Sequence, residues 1–169
     1  MSGDSFLTVV NDGSLAEATS VLAPCCASRR WLAEMVARGP YSDLDQMTRV
    51  SAEILADLDW VDICEALAAH PRIGDRLDGD GQEAEWSRAE QSSADTVSAG
   101  IQADLVQGNI DYETVFDHVF LICATGLPAE AILAALRHRL GNDEQRERSV
   151  VRAELRKIVD LRLEKLADA

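Results

Sequence analysis

The stretch HPRIGDRLDGDGQEAEWSRAEQ, residues 70–91, decides how the chain is read. Pro71 biases the residue before it out of the α region, so a helix ending in Ala68-Ala69 must stop at His70. A polar loop rich in Gly and Asp follows, from Gly74 to Gln82. Beyond it, Ser87-Arg88-Ala89-Glu90-Gln91 sits in a new helix. A basic ring and a carboxylate are thus delivered by two elements that flank one loop. The His70 imidazole projects from a helix C-terminus, where the macrodipole favours the protonated form. Such a group can give or take a proton near neutral pH. The simpler reading makes His70-Pro71 a helix-stop signal and nothing more.

The helix after the loop is expected from about Glu83 to about Gln107, with Gly108-Asn109 as its stop. Its apolar stripe is Trp86, Val97 and Ile101, drifting toward Leu105. At about 100° per residue, Glu90 falls about 40° from Trp86 and about 20° from Val97, on the core-facing side. Ser87 and Gln91 run along one edge of that stripe as i, i+4 neighbours. An inward carboxylate is rarely tolerated unless paired or hydrogen-bonded, which singles out Glu90 on geometry alone.

Almost every other segment also reads as helix. Ser14-Leu15-Ala16-Glu17 is a capping box opening a helix that Pro24 interrupts. A helix after Ser28 buries Trp31, Leu32, Met35 and Val36 and ends at Gly39-Pro40. Ser42 is expected to cap the next, which carries Leu44, Met47, Ile54, Leu55 and Leu58 at helical spacing. Asp59 opens a short helix running through Leu67 to His70. From Tyr112 to Phe120 the apolar residues again keep helical spacing and pass into Leu121-Ile122-Cys123-Ala124. That dense run fits a short buried strand, but the helical context favours a buried helix end, whose backbone groups can meet a ligand. Pro128 suits the first turn of a helix burying Ile132, Leu133 and Leu136 and stopping at Gly141-Asn142. The last helix, from near Asp143, has the stripe Val151, Leu155, Ile158 and Leu166. Arg162 lies within about 20° of Val151, inside that stripe. There it wants a carboxylate partner, internal or from a substrate, unless it snorkels along a helix end that has left the core. About eight helices with short connections imply a single all-α domain over residues 1–169.

Composition narrows the function. At 169 residues with 47% hydrophobic and 27% charged residues, the chain is of ordinary globular character and can build a core. A net charge of -14 argues against nucleic acid and against an anionic membrane surface. It also requires a local cationic site for any anionic substrate. No run reaches the length of a membrane span, and the start MSGDSFLTVV lacks a basic n-region before an apolar core, so a soluble, cytoplasmic protein is expected. Cys25, Cys26, Cys64 and Cys123 have no C-x-x-C spacing and are read as buried reduced thiols in helical contexts. With only His70, His118 and His138, no compact zinc set is supported.

Five segments, in order, resemble the 2-oxo-4-hydroxy-4-carboxy-5-ureidoimidazoline (OHCU) decarboxylase family of uric acid breakdown. They are His70-Pro71-Arg72-Ile73-Gly74; Trp86 to Gln91; Asn109 and Tyr112 leading into Phe116 to Gly126; Arg139-Leu140-Gly141-Asn142; and Glu154 to Leu163. Order and spacing are kept from about Ser5 to Leu166. The resemblance implies an all-α enzyme without cofactor or metal, usually a homodimer, that converts a small anionic ureidoimidazoline to (S)-allantoin and carbon dioxide. It implies His70 as the catalytic acid/base with Glu90 as its acidic partner. Ser87, Gln91 and Arg162 would hold the substrate, with Pro71 and the backbone of Phe120, Leu121, Ile122, Cys123 and Ala124 closing the pocket. The chain departs from the family's common Lys-Phe-Gly turn by having Val115-Phe116-Asp117, which adds a charge near the pocket wall.

Two other readings compete. A non-catalytic helical interaction module would use His70 as a cap and pair Arg162 with Glu90. A metal-assisted hydrolase would use His70, His118 and Glu90, but His118 is expected on a different helix and lacks supporting ligand spacing.

Overall fold

The computed structural model describes residues 3–75, 81–92 and 98–169. Among them the fold is all-α, without strands. The helices are α1 (Gly3–Asp12), α2 (Leu15–Leu22), α3 (Arg29–Ala37), α4 (Leu44–Asp57), α5 (Trp60–Ala68), α6 (Gln82–Gln91), α7 (Ala99–Phe116), α8 (Ala129–Arg139) and α9 (Glu144–Asp168). No helix among the described residues is long and apolar enough to cross a membrane. The chain forms two compact units, one of Met1–Ala66 with Arg156–Ala169 and one of Leu67–Leu155.

In the first unit, α1 to α4 pack successively, α1 on α2, α2 on α3 and α3 on α4. The capping box holds: Ser14 Oγ accepts the Glu17 amide at 3.3 Å while Glu17 Oε2 accepts the Ser14 amide at 2.8 Å. Trp31 is fully buried and donates from Nε1 to Ser51 Oγ at 3.1 Å, which ties α3 to α4. Helix α1 is an addition to the sequence reading; Phe6 and Val10, four residues apart, are its buried face. The cap of α4 is a correction. Asp43, not Ser42, accepts the Gln46 amide at 2.7 Å, and the Ser42 hydroxyl donates to the Asp43 carboxylate at 2.8 Å. Cys25 and Cys26 are buried but lie between helices, while Cys64 and Cys123 are only half-buried; all four are free thiols.

In the second unit, Ile73, Leu105, Tyr112, Phe120, Ala124, Ile132 and Leu136 belong to one buried cluster. The helix expected from about Glu83 to about Gln107 is instead α6 and α7, and Val97 of the expected stripe lies outside the described residues. Gly108-Asn109 is not a stop. A Cβ at Gly108 would stand 2.7 Å from Leu136 Cδ2, so the glycine lets α7 approach α8, and the helix runs on to Phe116. There Asp117 takes the left-handed conformation, φ 60° and ψ 27°, and its amide closes on Glu113 O. Residues 119–124 then have no regular structure, neither the strand nor the favoured helix end. On α9, Val151, Leu155, Ile158 and Leu166 are buried as the stripe requires, and Arg162 among them is 1% exposed.

Candidate functional site

The second unit holds the His70 loop and α6. Helix α5 ends at Ala68, and the His70 amide closes on Leu67 O at 2.9 Å, as Pro71 demands. The backbone after Pro71 is then tied down residue by residue. Arg72 forms a bidentate pair with Glu113 of α7, Nε to Oε1 and Nη2 to Oε2, both at 2.6 Å. Ile73 is buried, and its carbonyl accepts Asn109 Nδ2 at 3.0 Å. Gly74, at φ 88°, donates its amide to Gln91 Oε1 and accepts Gln102 Nε2 at its carbonyl, both at 3.1 Å. A side chain at Gly74 would suffer that left-handed backbone and meet Gln102. The histidine therefore leaves a helix end into a stretch, Arg72 to Gly74, that is held at each residue.

His70 is half-buried and faces two cavities. One, of about 390 Å³, is lined by Ala69, His70, Pro71, Glu83 and Ser87, so the structure brings three of the expected site residues together. Ser87 is its buried member on α6, 3% exposed. Glu90 and Gln91 follow at i+3 and i+4 on the same helix face and are half-buried. Trp86 is also only half-buried, so the inward edge of α6 runs through Ser87 rather than Trp86. The Gln91 amide oxygen is committed to Gly74, which gives this residue a loop-holding task beside any substrate contact.

The other cavity, of about 520 Å³, is lined by His70, Arg72, Glu113, Asp117, His118 and Val119, among others. Hydrogen bonds from Arg72 hold the Glu113 carboxyl below the usual carboxylate range. His118, half-buried, has Nδ1 3.0 Å from Val119 O and its ring edge-on to Tyr112 at 5.4 Å. Contrary to the sequence reading, His118 lies beyond the end of α7 and shares a cavity with His70. His118 is off the helix because α7 ends at Phe116, where Asp117 takes the left-handed conformation, and a residue other than glycine marks such an end only weakly in the sequence. Even so, among the described residues no three His, Cys, Asp or Glu side chains group as metal ligands.

From Val119 the chain enters the Phe120–Ala124 segment. Phe120, Leu121 and Ala124 are buried, while Ile122 and Cys123 are half-buried. Leu121 O accepts Arg139 Nη1 at 2.7 Å, and the Cys123 amide donates to Glu154 Oε2 at 2.8 Å. Burial, then a hydrogen bond to Glu147, pushes the Tyr112 phenol far above its ordinary range, so Tyr112 stays a neutral donor.

Arg162 belongs to the first unit. Its Nη1 donates to Pro24 O at 3.0 Å. Burial pushes the neighbouring Cys25 thiol far up, and the Arg162 charge opposes that shift.

The sequence matches the OHCU decarboxylase family over residues 11–164. It is 31% identical over 145 residues to an Arabidopsis thaliana protein, "Uric acid degradation bifunctional protein TTL", covering 84% of this chain and 45% of that one. It is 36% identical over 97 residues to an Amia calva OHCU decarboxylase, covering 56% and 55% respectively. The chain thus spans about half the length of these two relatives. A crystal structure of an OHCU decarboxylase in the presence of (S)-allantoin superposes with a TM-score of 0.76 at 30% identity, over 86% of this chain and 95% of that one. An (S)-allantoin synthase structure, at 17% identity, shares the fold with a TM-score of 0.70, over 98% and 54%. A family match running from α1 into the last turns of α9, and carrying the His70 loop and α6 within it, leaves one conclusion: the chain belongs to the OHCU decarboxylase family.

Proposed function

We propose that residues 1–169 act as a single decarboxylase domain that converts OHCU to (S)-allantoin and carbon dioxide in uric acid degradation, without metal or organic cofactor. The observation that carries this reading is the tethered His70 loop, which opens on the same cavity as Ser87 of α6. The substrate bears its carboxylate on a carbon that also carries a hydroxyl, next to the ureido-substituted ring carbon. When the bond to the carboxylate breaks, carbon dioxide leaves and the electron pair passes into the conjugated ring as an enolate-like species. The ring itself is the electron sink. A proton must then reach one face of the carbanionic centre, and His70 is the group for it, with Glu90 setting its tautomer or charge. Ser87, Gln91 and the backbone of Phe120–Ala124 orient the substrate, and Arg162 is assigned to its carboxylate by the family resemblance. The active form is a cytoplasmic homodimer.

The test is to generate OHCU freshly from urate, add the purified chain and follow optically active allantoin by circular dichroism. Rapid appearance of the (S) enantiomer is expected, unaffected by chelator. A rate equal to the spontaneous one would turn the reading toward a non-catalytic helical module, and loss with chelator followed by restoration with zinc would turn it toward metal chemistry.

A further inference from the structure

The segment Arg139-Leu140-Gly141-Asn142 has no part in the chemistry above, yet it holds a buried charge that is hydrogen-bonded on every nitrogen of its guanidinium. Arg139 ends α8 and is 5% exposed; Glu147, in the first turn of α9, is fully buried. Glu147 Oε1 accepts Arg139 Nε at 2.8 Å and Nη2 at 2.6 Å, and also the Tyr112 hydroxyl. Glu147 Oε2 accepts Asn142 Nδ2 at 2.9 Å. The remaining arm of the guanidinium reaches Leu121 O at 2.7 Å, and the guanidinium carbon stands 4.5 Å from the Phe120 ring centroid.

A buried ion pair is a poor means of stabilising a fold, because desolvation cancels most of its attraction. What the planar fork of an arginine does provide is direction: it fixes several acceptors relative to one another. One of those acceptors is a carbonyl in a stretch without helix or sheet, whose backbone groups must find side-chain partners. Two residues further on, Glu154 fastens the Cys123 amide. Val119, at the start of the stretch, lines the cavity that contains His70.

We infer that Arg139 with Glu147, seconded by Glu154, are positioning residues that set the backbone of Leu121–Ala124 against the substrate. This rests on the reading that the Phe120–Ala124 backbone closes the substrate pocket of a decarboxylase. None of the three need touch the reacting atoms. Their effect is on turnover, because a displacement of about 1 Å in an orienting group can lower a rate by about 10²-fold.

The experiment pairs melting temperature with kcat and KM on fresh OHCU. Arg139→Met combined with Glu147→Leu removes both charges together and leaves Leu121 O without its donor. Near-native melting with kcat lowered by about 10²-fold is expected, and KM should change much less than kcat. Native melting with wild-type kcat would overturn the inference. If the double variant does not fold, Glu154→Ala decides, since Glu154 is only half-buried. It should lower kcat by about tenfold, with Glu154→Gln restoring most of it; unchanged kcat in Glu154→Ala overturns the inference. A wild-type chain without decarboxylase activity would bring down the functional reading and this inference with it, whereas an active wild type beside unaffected variants sinks the inference alone.

Discussion

Two buried arginines, one in each unit, keep different surroundings: Arg139 stands among aromatic rings and a buried carboxylate, Arg162 beside a buried thiol and an interhelical carbonyl. Arg139 meets a fully buried carboxylate and sits in a network where its charge is neutralised within bonding distance. Arg162 is buried still more deeply, and one of its bonds runs from Nη1 to the Pro24 carbonyl. The difference teaches that burial alone does not say what an arginine does; the groups it fixes do, Leu121 O and Glu147 for Arg139 and the Pro24 carbonyl for Arg162.

The largest expected effect breaks the closed pair. Arg139→Met alone strands Glu147 in the interior and should destabilise the protein by about 3–5 kcal/mol in denaturant unfolding. A loss below about 1 kcal/mol would show that Glu147 simply takes up a proton, and the contrast between the two arginines would vanish. Next comes His70, the proposed proton-transfer group, as the control in which rate and fold separate. His70→Asn should keep its melting temperature and lower turnover by about 10²-fold or more. Near wild-type turnover in a folded His70→Asn protein would remove the residue from the chemistry.

Arg162→Met sharpens the other side of the comparison. It should cost less than about 1.5 kcal/mol, the worth of a hydrogen bond offset by relief from burying a charge. On the proposed role of Arg162 in holding the substrate, allantoin should raise the melting temperature of the wild type and leave that of the variant unchanged. A large loss of stability with the allantoin effect intact would make Arg162 as structural as Arg139. The smallest effect is expected at Asp117, which lines the His70 cavity with a left-handed backbone. Asp117→Gly relieves that strain but adds freedom to the unfolded chain, for a net gain of about 0.5 kcal/mol. An unchanged or lowered unfolding midpoint would mean that the aspartate side chain repays its own backbone cost.

Periodicity and punctuation in the sequence determined the helices apart from α1 and the bounds of α6 and α7, along with the stop at His70, the buried stripe of α9 and the place of Arg162 in it. These are local matters, set by 3.6-residue repetition, caps and proline, and they are legible wherever neighbours in sequence are also neighbours in space. The motif order also carried the family, because spacing along a chain survives when individual residues change. Tertiary structure decided the rest. Gly108 reads as a stop signal in sequence, but a facing Leu136 makes it a point of close helix approach. Helical spacing up to Phe120 and the helical context favour a helix end over a strand at Leu121–Ala124, yet Leu121 O and the Cys123 amide are claimed by Arg139 and Glu154 from elsewhere in the chain. The Arg139–Glu147 pair and the meeting of His70 with His118 in one cavity have no periodic signature at all. Such features depend on which groups can satisfy a buried charge or an unpaired carbonyl, and only the folded chain brings those partners within reach.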